Sequence, residues 1–369
     1  MACRLIDGID DQRLHENSGG KLFMMAAVLE APGKMTLREV EDPVCPVGGL
    51  ILKVEACSIC STDVKMMRRG QRDLVYPRIL GHEISGVVSE KDGIGPDVGE
   101  RVQVFPGIFC GRCSACRRGA ENLCEQVRIL GFNIDGGFAE RLLVPRNSVR
   151  NGGIFPIPDG VRFEEAALAE PLACSINAQV RVGVGEDDSV LIFGAGPAGT
   201  FHFLLARERG ASMVAVAEPL ESRADLAKLS GADLVVCTSR ENLRERAMEA
   251  TAGKGFDVII LASRDVAVDD DLLALLAPRG RISLFSGLPP NLAAPRLDLN
   301  HLHYLENLIV GSYGCTPAQN RKSLDLISSG AIKVGRLITE RVSLCEMMGG
   351  MGHAERREGL KAVVTDFGR

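Results

Sequence analysis

The sequence of 369 residues lacks a long hydrophobic run. Its apolar stretches are short, such as residues 190–193, and none approaches the roughly 20 apolar residues that a helix needs to span a bilayer. The first 23 residues contain acids, a histidine and a Gly-Gly pair, but not the apolar core of a secretory signal. We therefore predict a cytoplasmic protein with no membrane partner, and we interpret residues 1–24 as a disordered leader.

Blocks of like charge, internal repeats and low-complexity segments are also missing. The net charge is −5 with both signs scattered, and the sequence has no basic block of the kind that binds nucleic acid. The twelve cysteines are not spaced like the disulfide framework of a small secreted domain, because several are grouped at metal-ligand spacing. This grouping is typical of a reducing compartment and predicts metal sites.

Two patterns of secondary structure divide the chain and predict an α/β protein of two domains. From residue 26 to about 145, short β-type runs alternate with glycine and proline, which favours a small barrel or sandwich. From residue 190 onwards, strands alternate with helical segments, which favours a doubly wound parallel sheet. The predicted domains are 25–177 with 315–369, and 178–314.

The strongest signal is a group of four cysteines within one loop, separated by two, two and seven residues: Cys110, Cys113, Cys116 and Cys124. Four thiolates at this spacing suit a closed tetrahedral zinc site, which ties down a loop and does no chemistry. A zinc ribbon that binds nucleic acid is the alternative, since Arg112, Arg117 and Arg118 lie in the same stretch. No recognition helix or second finger follows, so we predict a structural zinc site and no nucleic-acid partner.

A second set of metal-ligand residues comes from three separate segments. Cys60 begins the sequence CSTD, His82 and Glu83 lie in LGHEISG, and Glu170 lies in AEPL. Thiolate, imidazole and carboxylate suit a catalytic zinc, which takes three protein ligands and keeps one position open. Glu170 could instead cap or end a helix. Cys57 and Cys60 share the spacing of a redox pair, but no βαβ unit surrounds them, so we expect Cys57 to be a packing residue.

Two neighbours of Cys60 are candidates for supporting roles. Asp63 follows Cys60 by three residues and could accept the imidazole N–H of His82. Thr62 could pass a proton from a bound hydroxyl group towards solvent. Both are therefore predicted to be part of the same catalytic site.

A glycine-rich turn indicates a dinucleotide site. Gly194, Gly196 and Gly199 form GxGxxG between a strand and a helix, with Pro197 and Ala198 completing the turn. The first glycine permits the tight turn, the second lets the backbone approach the pyrophosphate, and the third lets helix and strand pack closely. The phosphates then meet the amides at the start of the helix.

An acid at the end of the next strand favours NAD over NADP. Glu218 follows Gly194 by 24 residues, where a carboxylate can bind the ribose hydroxyls and repel a ribose phosphate. Arg223 weakens this preference, because a nearby arginine could hold a phosphate. The alternative interpretation of Glu218 is a solvated surface acid.

Taken in the order in which they occur along the chain, these motifs resemble those of the zinc-containing medium-chain alcohol dehydrogenases. The resemblance runs from about residue 26 to the C-terminus, and EPL is more similar to the polyol (sorbitol or iditol) and threonine dehydrogenase branch. It implies a GroES-like β-barrel catalytic domain, a Rossmann domain, two zinc ions per chain, and homodimers or homotetramers. The motifs that carry it are CSTD at 60–63, GHE at 81–83, the four-cysteine loop, GGFAE at 136–140, AEPL at 169–172 and GAGPAG at 194–199.

The resemblance also implies a ligand set for the catalytic zinc. Cys60 and His82 would bind the ion, while Glu83 and Glu170 would alternate as direct or water-mediated ligands. The neighbouring Thr62 would match the family's relay hydroxyl.

Outside the zinc site, the resemblance implies a role for one more residue. The chain also departs from the pattern of the family at two places. Lys361 falls where the family places a basic residue on the cofactor phosphate, although an ordinary surface lysine is the alternative. Many relatives have a histidine in the relay where this chain has Lys65. Animal sorbitol dehydrogenases carry an Arg-Tyr pair where this chain has Gly314 and Cys315, which puts sorbitol itself in doubt.

We predict zinc-dependent transfer of a hydride between a small polar secondary alcohol, such as a polyol or cyclitol, and NAD, giving the ketone. Zinc would lower the pKa of the substrate hydroxyl, Thr62 would accept its proton, and the nicotinamide would take the hydride. Three alternatives stay open at this point. They are a threonine-type amino-alcohol dehydrogenase, an NADPH-linked ketone reductase, and a zinc-stabilised protein that binds NAD(H) as a sensor.

Overall fold

The structure is a computed structural model that describes residues 22–368. The predicted leader lies outside the described residues except at its end, where Phe23 already begins a strand, so its predicted boundary is too late. Two compact units make up the described chain: residues 22–170, 316–328 and 333–368 form the first, and residues 171–315 and 329–332 form the second. The first boundary lies seven residues before the predicted one, within a single continuous helix, Ala169–Val182.

The described residues form strands, α-helices and two short 3-10 helices, Glu121–Leu123 and Val334–Leu337. The strands are β1 (Phe23–Ala31), β2 (Lys34–Glu41), β3 (Leu50–Ser58), β4 (Arg78–Ile79), β5 (Glu83–Lys91), β6 (Arg101–Val104), β7 (Gly107–Ile108), β8 (Arg128–Ile129), β9 (Arg141–Val144), β10 (Ile154–Pro156), β11 (Ser189–Phe193), β12 (Met213–Glu218), β13 (Leu234–Cys237), β14 (Phe256–Leu261), β15 (Leu276–Leu284), β16 (Leu308–Gly311), β17 (Ile338–Ser343) and β18 (Lys361–Asp366). The α-helices are α1 (Ser61–Arg69), α2 (Ser114–Arg117), α3 (Arg146–Arg150), α4 (Phe163–Ala167), α5 (Ala169–Val182), α6 (Pro197–Glu208), α7 (Glu221–Leu229), α8 (Leu243–Ala250), α9 (Asp270–Leu273), α10 (Leu299–Leu305), α11 (Pro317–Ser328) and α12 (Met347–Glu355). Within residues 22–368, none of these helices is both long and apolar enough to cross a membrane.

The first unit is organised around antiparallel sheets. Its main sheet has the order β10-β6-β5-β3-β18-β17, with β9 also paired to β3, and only the β17–β18 pair is parallel. A second sheet has the order β2-β1-β4, and β7 pairs with β8. Apolar side chains from these strands share one core, which includes Leu29, Leu52, Ile84 and Val364. This is the strand-rich domain that the short β-type runs indicated.

The second unit contains a six-stranded parallel sheet with the order β13-β12-β11-β14-β15-β16. Both faces of β11 are buried: Val190 and Ile192 pack into one cluster, and Leu191 and Phe193 pack into another. A parallel strand that is covered on both faces needs a continuous apolar run. This is why residues 190–193 (VLIF) are all apolar and do not alternate between apolar and polar side chains. The strand order reverses between β11 and β14, and ligands of such sheets bind at the carboxyl ends of the strands at this point.

Candidate active site and cofactor site

Three of the four predicted catalytic ligands meet in the first unit. One ligand atom each from Cys60, His82 and Glu83 lies within 4.8 Å of the others. Cys60 is the N-cap of α1, and its sulfur accepts the amide of the half-buried Thr62 at 3.5 Å. His82 precedes β5, and Glu83 is the first residue of that strand. The turn before α1 and the start of β5 thus bring a sulfur, a nitrogen and a carboxylate together.

Asp63 holds both turns in place. Its Oδ2 accepts the Cys60 amide at 2.9 Å, and its Oδ1 accepts the Gly81 amide at 3.4 Å. The same Oδ1 lies 3.2 Å from Nδ1 of His82, and the side chain of Asp63 is fully buried. One carboxylate therefore contacts the backbone of Cys60 and the imidazole of His82, as acids behind metal ligands commonly do.

The environment of His82 favours a protonated Nδ1. Burial by itself lowers the pKa of the imidazole, but the charge of Asp63 and the nearby Cys60 outweigh it and raise the pKa well above its usual value. The ring also packs edge-on against Phe132, with the ring centres 5.3 Å apart. Because Nδ1 faces a carboxylate, Nε2 is the nitrogen that can bind a metal.

Glu83 has a partner that the sequence did not indicate. The Lys361 ammonium group lies 2.8 and 2.5 Å from the two Glu83 oxygens, and both side chains are buried. It also donates to the carbonyl of Ile59 at 3.3 Å. Burial alone lowers the pKa of Lys361, but the charges of Glu83 and Cys60 raise it overall.

Lys361 therefore corrects one expectation. It is not an ordinary surface lysine, because it is buried and paired with Glu83. The contact with a cofactor phosphate that the resemblance implied stays a prediction. The two residues are 278 positions apart, and no local pattern links them. Only the pairing of β18 beside β3, which itself pairs with β5, brings them together.

Glu170 is placed differently from the other predicted ligands. It lies in the first turn of α5 and is buried, which agrees with the alternative that it belongs to a helix start. The group formed by Cys60, His82 and Glu83 does not include it. Its carboxylate instead lies within 4.8 Å of the thiol of Cys174, one turn further along α5.

Two residues near Cys60 lie outside the catalytic cluster: Cys57 is in the core, and Lys65 is on the surface. Cys57 is fully buried in the core of the first unit, and this burial raises the pKa of its thiol well above the usual value. A reactive redox cysteine needs the opposite shift, so Cys57 is a packing residue. Lys65 is exposed on α1.

The four-cysteine loop forms a compact cluster with one ligand atom from each cysteine within 4.8 Å of the others. Backbone amides point at its sulfurs: Cys113 N and Arg112 N donate to Cys110, at 3.3 and 3.5 Å, and Cys110 N donates to Cys124 at 3.4 Å. Backbone amides, led by that of Cys116, also lower the pKa of Cys113 to about 6. The amides thus favour the thiolate at Cys110 and Cys113, whereas burial raises the pKa of Cys116 to about 12 and also raises that of Cys124. The thiolate is the form of cysteine that binds zinc.

The glycine turn of the second unit has the shape that a dinucleotide needs. Gly194 has a φ of +102°, a conformation that side chains rarely adopt. A Cβ at Gly199 would lie 1.8 Å from the carbonyl oxygen of Gly194, so only glycine fits there. Gly196 is the N-cap of α6, and Pro197 and Ala198 form its first turn. Unpaired amides at such a helix start can bind phosphate.

Glu218 connects this turn to the end of β12. Its two oxygens accept the amides of Ala195 and Leu220 at 2.7 and 2.9 Å, and its side chain is buried, so it is not a solvated surface acid. The guanidinium of Arg223 lies over the same turn, since a Cβ at Gly196 would meet its Nη1 at 2.9 Å. A carboxylate has lone pairs left after two such bonds, so Glu218 can still accept ribose hydroxyls.

Fold and site together define a zinc-binding dehydrogenase. Residues 47–159 match the alcohol dehydrogenase GroES-like domain, and residues 197–329 match the zinc-binding dehydrogenase domain. The chain belongs to the zinc-containing medium-chain alcohol dehydrogenase family and is a zinc-dependent, NAD(P)-linked alcohol dehydrogenase. The predicted fold class, a GroES-like domain with a Rossmann domain, is confirmed.

Relatives with assigned substrates act on different alcohols. The L-threonine 3-dehydrogenase of Pyrococcus horikoshii is 35% identical over 331 residues, covering 86% of this chain and 91% of that protein. The D-altritol 5-dehydrogenase of Agrobacterium fabrum is 30% identical over 328 residues, again covering 86% and 91%. A zinc-binding dehydrogenase from Sinorhizobium meliloti, solved with NADP, has a TM-score of 0.84 at 31% identity and covers 93% of this chain and 99% of its own.

Proposed function

We propose that this enzyme oxidises a small polar secondary alcohol, such as a polyol or cyclitol, to the ketone with NAD. The observation that carries the proposal is the cluster of Cys60, His82 and Glu83 in a zinc-dependent dehydrogenase. Sulfur, nitrogen and carboxylate donors suit zinc, and Glu170 is the further ligand we propose, directly or through water. A zinc ion held there would supply Lewis-acid chemistry at the oxygen of the substrate.

The residues around the cluster have separate tasks in this proposal. Asp63 positions the backbone of Cys60 through its contact with the amide at 2.9 Å, and it orients the imidazole of His82 from 3.2 Å. Thr62, half-buried beside Cys60, takes the proton of the substrate hydroxyl and passes it to water. Lys361 holds the Glu83 side chain in place, since its ammonium group lies 2.5 Å from a carboxylate oxygen and both side chains are buried.

A panel of substrates tests the proposal directly. Polyols, cyclitols and L-threonine are each supplied with NAD to the zinc-loaded enzyme, and NADH absorbance is followed. We expect a polyol or cyclitol to give the highest kcat/KM. Activity with L-threonine alone would favour the second candidate, an amino-alcohol dehydrogenase, for which the Pyrococcus relative is the supporting observation. Activity only as a ketone reductase with NADPH would contradict both.

We also propose a second zinc ion, held by the four cysteines of the loop at 110–124. Replacing Cys113 with Ser should remove one of two zinc ions per chain and make the loop sensitive to proteases, because a closed four-thiolate site stabilises its segment. Elemental analysis and limited proteolysis measure these effects. Cys45→Ser is the control, since Cys45 lies outside the cluster and should leave the zinc content unchanged. An unchanged zinc content in Cys113→Ser would contradict the proposal.

For the cofactor, we propose NAD rather than NADP because Glu218 lies beside the glycine turn. Unit charges near a protein surface interact by about 4 kcal/mol at 4 Å, so the carboxylate should repel a ribose phosphate strongly. We expect wild-type kcat/KM to favour NAD, and Glu218→Gln to shift the ratio towards NADP by about tenfold or more. Glu221→Gln, which removes an exposed acid at the start of α7, should leave the ratio unchanged. Equal use of NADP by the wild type would refute the preference.

We further propose a cytoplasmic homodimer or homotetramer. The thiols grouped in the two metal clusters need a reducing compartment to stay reduced. In the second unit, β16 is an edge strand of the parallel sheet, and its Leu308 is exposed. Exposed apolar strand edges are places where copies of a chain can pair.

A further inference from the structure

A buried polar network in the first unit joins β6, α11 and the start of α5. Nδ2 of Asn320, on α11, donates to Oε1 of Gln103, on β6, at 2.6 Å, and Nε2 of Gln103 donates in return to Oδ1 of Asn320 at 3.5 Å. Three residues further along α11, the hydroxyl of Ser323 lies 2.6 Å from the carbonyl oxygen of Ala169, the first residue of α5, and 2.7 Å from that of Asn320. The three side chains are fully buried, so solvent does not take the place of these hydrogen bonds.

A second hydroxyl holds the chain a few residues before this point. Ser85, on β5, donates to the carbonyl of Phe163, the first residue of α4, at 2.7 Å, and its side chain is also fully buried. Ser85 is paired with Gln103 across β5 and β6. The segment 163–169 is therefore anchored at both ends, by Ser85 directly and by the network that begins at Gln103.

This anchored segment lies next to two of the proposed zinc ligands in the sequence of the first unit. Glu83 is the first residue of β5, two residues before Ser85, and Glu170 directly follows Ala169. All of these residues belong to the first unit. The strand that carries one ligand therefore also helps to hold the backbone beside the other.

We propose that the hydroxyls of Ser323 and Ser85 are positioning groups for the catalytic zinc, because they fix the segment 163–169 that ends beside Glu170. Burying uncharged polar groups costs free energy unless each is hydrogen-bonded, and apolar side chains could fill the same space without that cost. Groups behind a metal ligand commonly hold it in place, and their loss costs about 10–100-fold in metal affinity. The inference rests on the proposed function, which makes Glu170 a zinc ligand, directly or through water.

Zinc release tests the proposal without an activity assay. The zinc-loaded full-length protein, without substrate or cofactor, is mixed with a chromogenic zinc chelator, and the absorbance is followed. The phase that is missing in Cys60→Ser belongs to the catalytic zinc, and the other phase belongs to the four-cysteine loop. We expect Ser323→Ala to release the catalytic zinc about tenfold faster than the wild type and the loop zinc at an unchanged rate. An unchanged catalytic phase would overturn the proposal.

The variant Glu170→Gln separates positioning from a general loosening of the fold. It should itself release the catalytic zinc about tenfold faster, and adding Ser323→Ala should bring no further increase, because the carboxylate that Ser323 positions is already gone. A further increase in the double variant would show general loosening and overturn the positioning role. Fast release from Glu170→Gln beside wild-type release from Ser323→Ala would overturn the positioning role alone. Wild-type release from Glu170→Gln would instead refute the ligand role of Glu170 in the proposed function, and this proposal with it.

Steady-state kinetics and a matched variant complete the test. Ser323→Ala should lower kcat with the best alcohol of the panel by about tenfold and leave the KM for NAD within about twofold, because the glycine turn belongs to the second unit. Ser148→Ala, the control, removes a buried hydroxyl of the first unit that has no hydrogen-bond partner among the described residues, and it should keep the wild-type rates. If Ser323→Ala does not fold, Ser85→Ala provides the same test at the other end of the segment. Equal effects of Ser323→Ala and Ser148→Ala would overturn the assignment.

Discussion

Replacing Cys60 with Ser is expected to abolish turnover while leaving NAD binding within about threefold of the wild type. Cys60 supplies the only sulfur in the cluster with His82 and Glu83, and it lies on the first unit, whereas the glycine turn lies on the second. Loss of the metal at this place should lower kcat/KM by about a thousandfold or more, which corresponds to about 4 kcal/mol of transition-state stabilisation. Zinc content should fall from two ions per chain to one.

A neighbouring cysteine provides the control for this experiment. Cys57→Ala removes a buried thiol in the same segment that is not in the cluster, so it should keep both zinc ions and the activity of the folded protein. Zinc is measured by elemental analysis, turnover by NADH absorbance with the best alcohol of the panel, and NAD affinity by titration. A Cys60→Ser enzyme that retained two zinc ions and normal turnover would refute the catalytic cluster. Loss of activity in Cys57→Ala alone would revive the redox-pair interpretation.

Replacing Lys361 with Met is expected to lower the free energy of unfolding by about 3–5 kcal/mol, because it leaves the charge of Glu83 buried without its partner. Both side chains are almost completely inaccessible, and the nearest distance between them is 2.5 Å. Since the pKa of Lys361 is raised in the folded protein, the contribution is fully present at neutral pH. It would be lost only as the pH rises through that pKa.

Two further variants distinguish the buried pair from a general effect of lost charge. The double variant Lys361→Met with Glu83→Gln should recover much of the lost stability, because the uncompensated carboxylate is gone. Lys91→Met breaks an exposed ion pair with Asp97 in the same unit and should cost less than about 1 kcal/mol. The chain has no tryptophan, so far-UV circular dichroism in denaturant is the appropriate measurement. A loss in Lys361→Met no larger than in Lys91→Met would contradict the argument.

Local sequence patterns were sufficient to predict the parts of the site that lie within one segment of the chain. The four cysteines of the loop at 110–124 meet within 4.8 Å because short gaps leave them few alternatives. The glycine turn followed directly from Gly194 and Gly199, since a strand, a tight turn and a helix in sequence impose those glycines. Asp63 was likewise within reach of Cys60 through the first turn of α1.

Contacts between distant segments could not be deduced in the same way. Lys361 reaches Glu83 only because β18 and β5 flank the same strand. Glu170 meets Cys174 rather than joining the cluster at Cys60, because its position is set by α5. Glu218 was predicted at the correct strand end, but its bonds to the amides of Ala195 and Leu220 depend on the shape of the folded turn.

The amino-acid sequence by itself determined the class of fold, the four-cysteine group and the dinucleotide turn, because metal-ligand spacing within one loop and glycine geometry are properties of short segments. Only the tertiary structure decided the partners of the buried charges and hydroxyls, such as Lys361 and Ser323. A buried ion pair or a buried hydrogen bond between segments depends on which strands and helices lie side by side, and sheet pairing joins residues hundreds of positions apart.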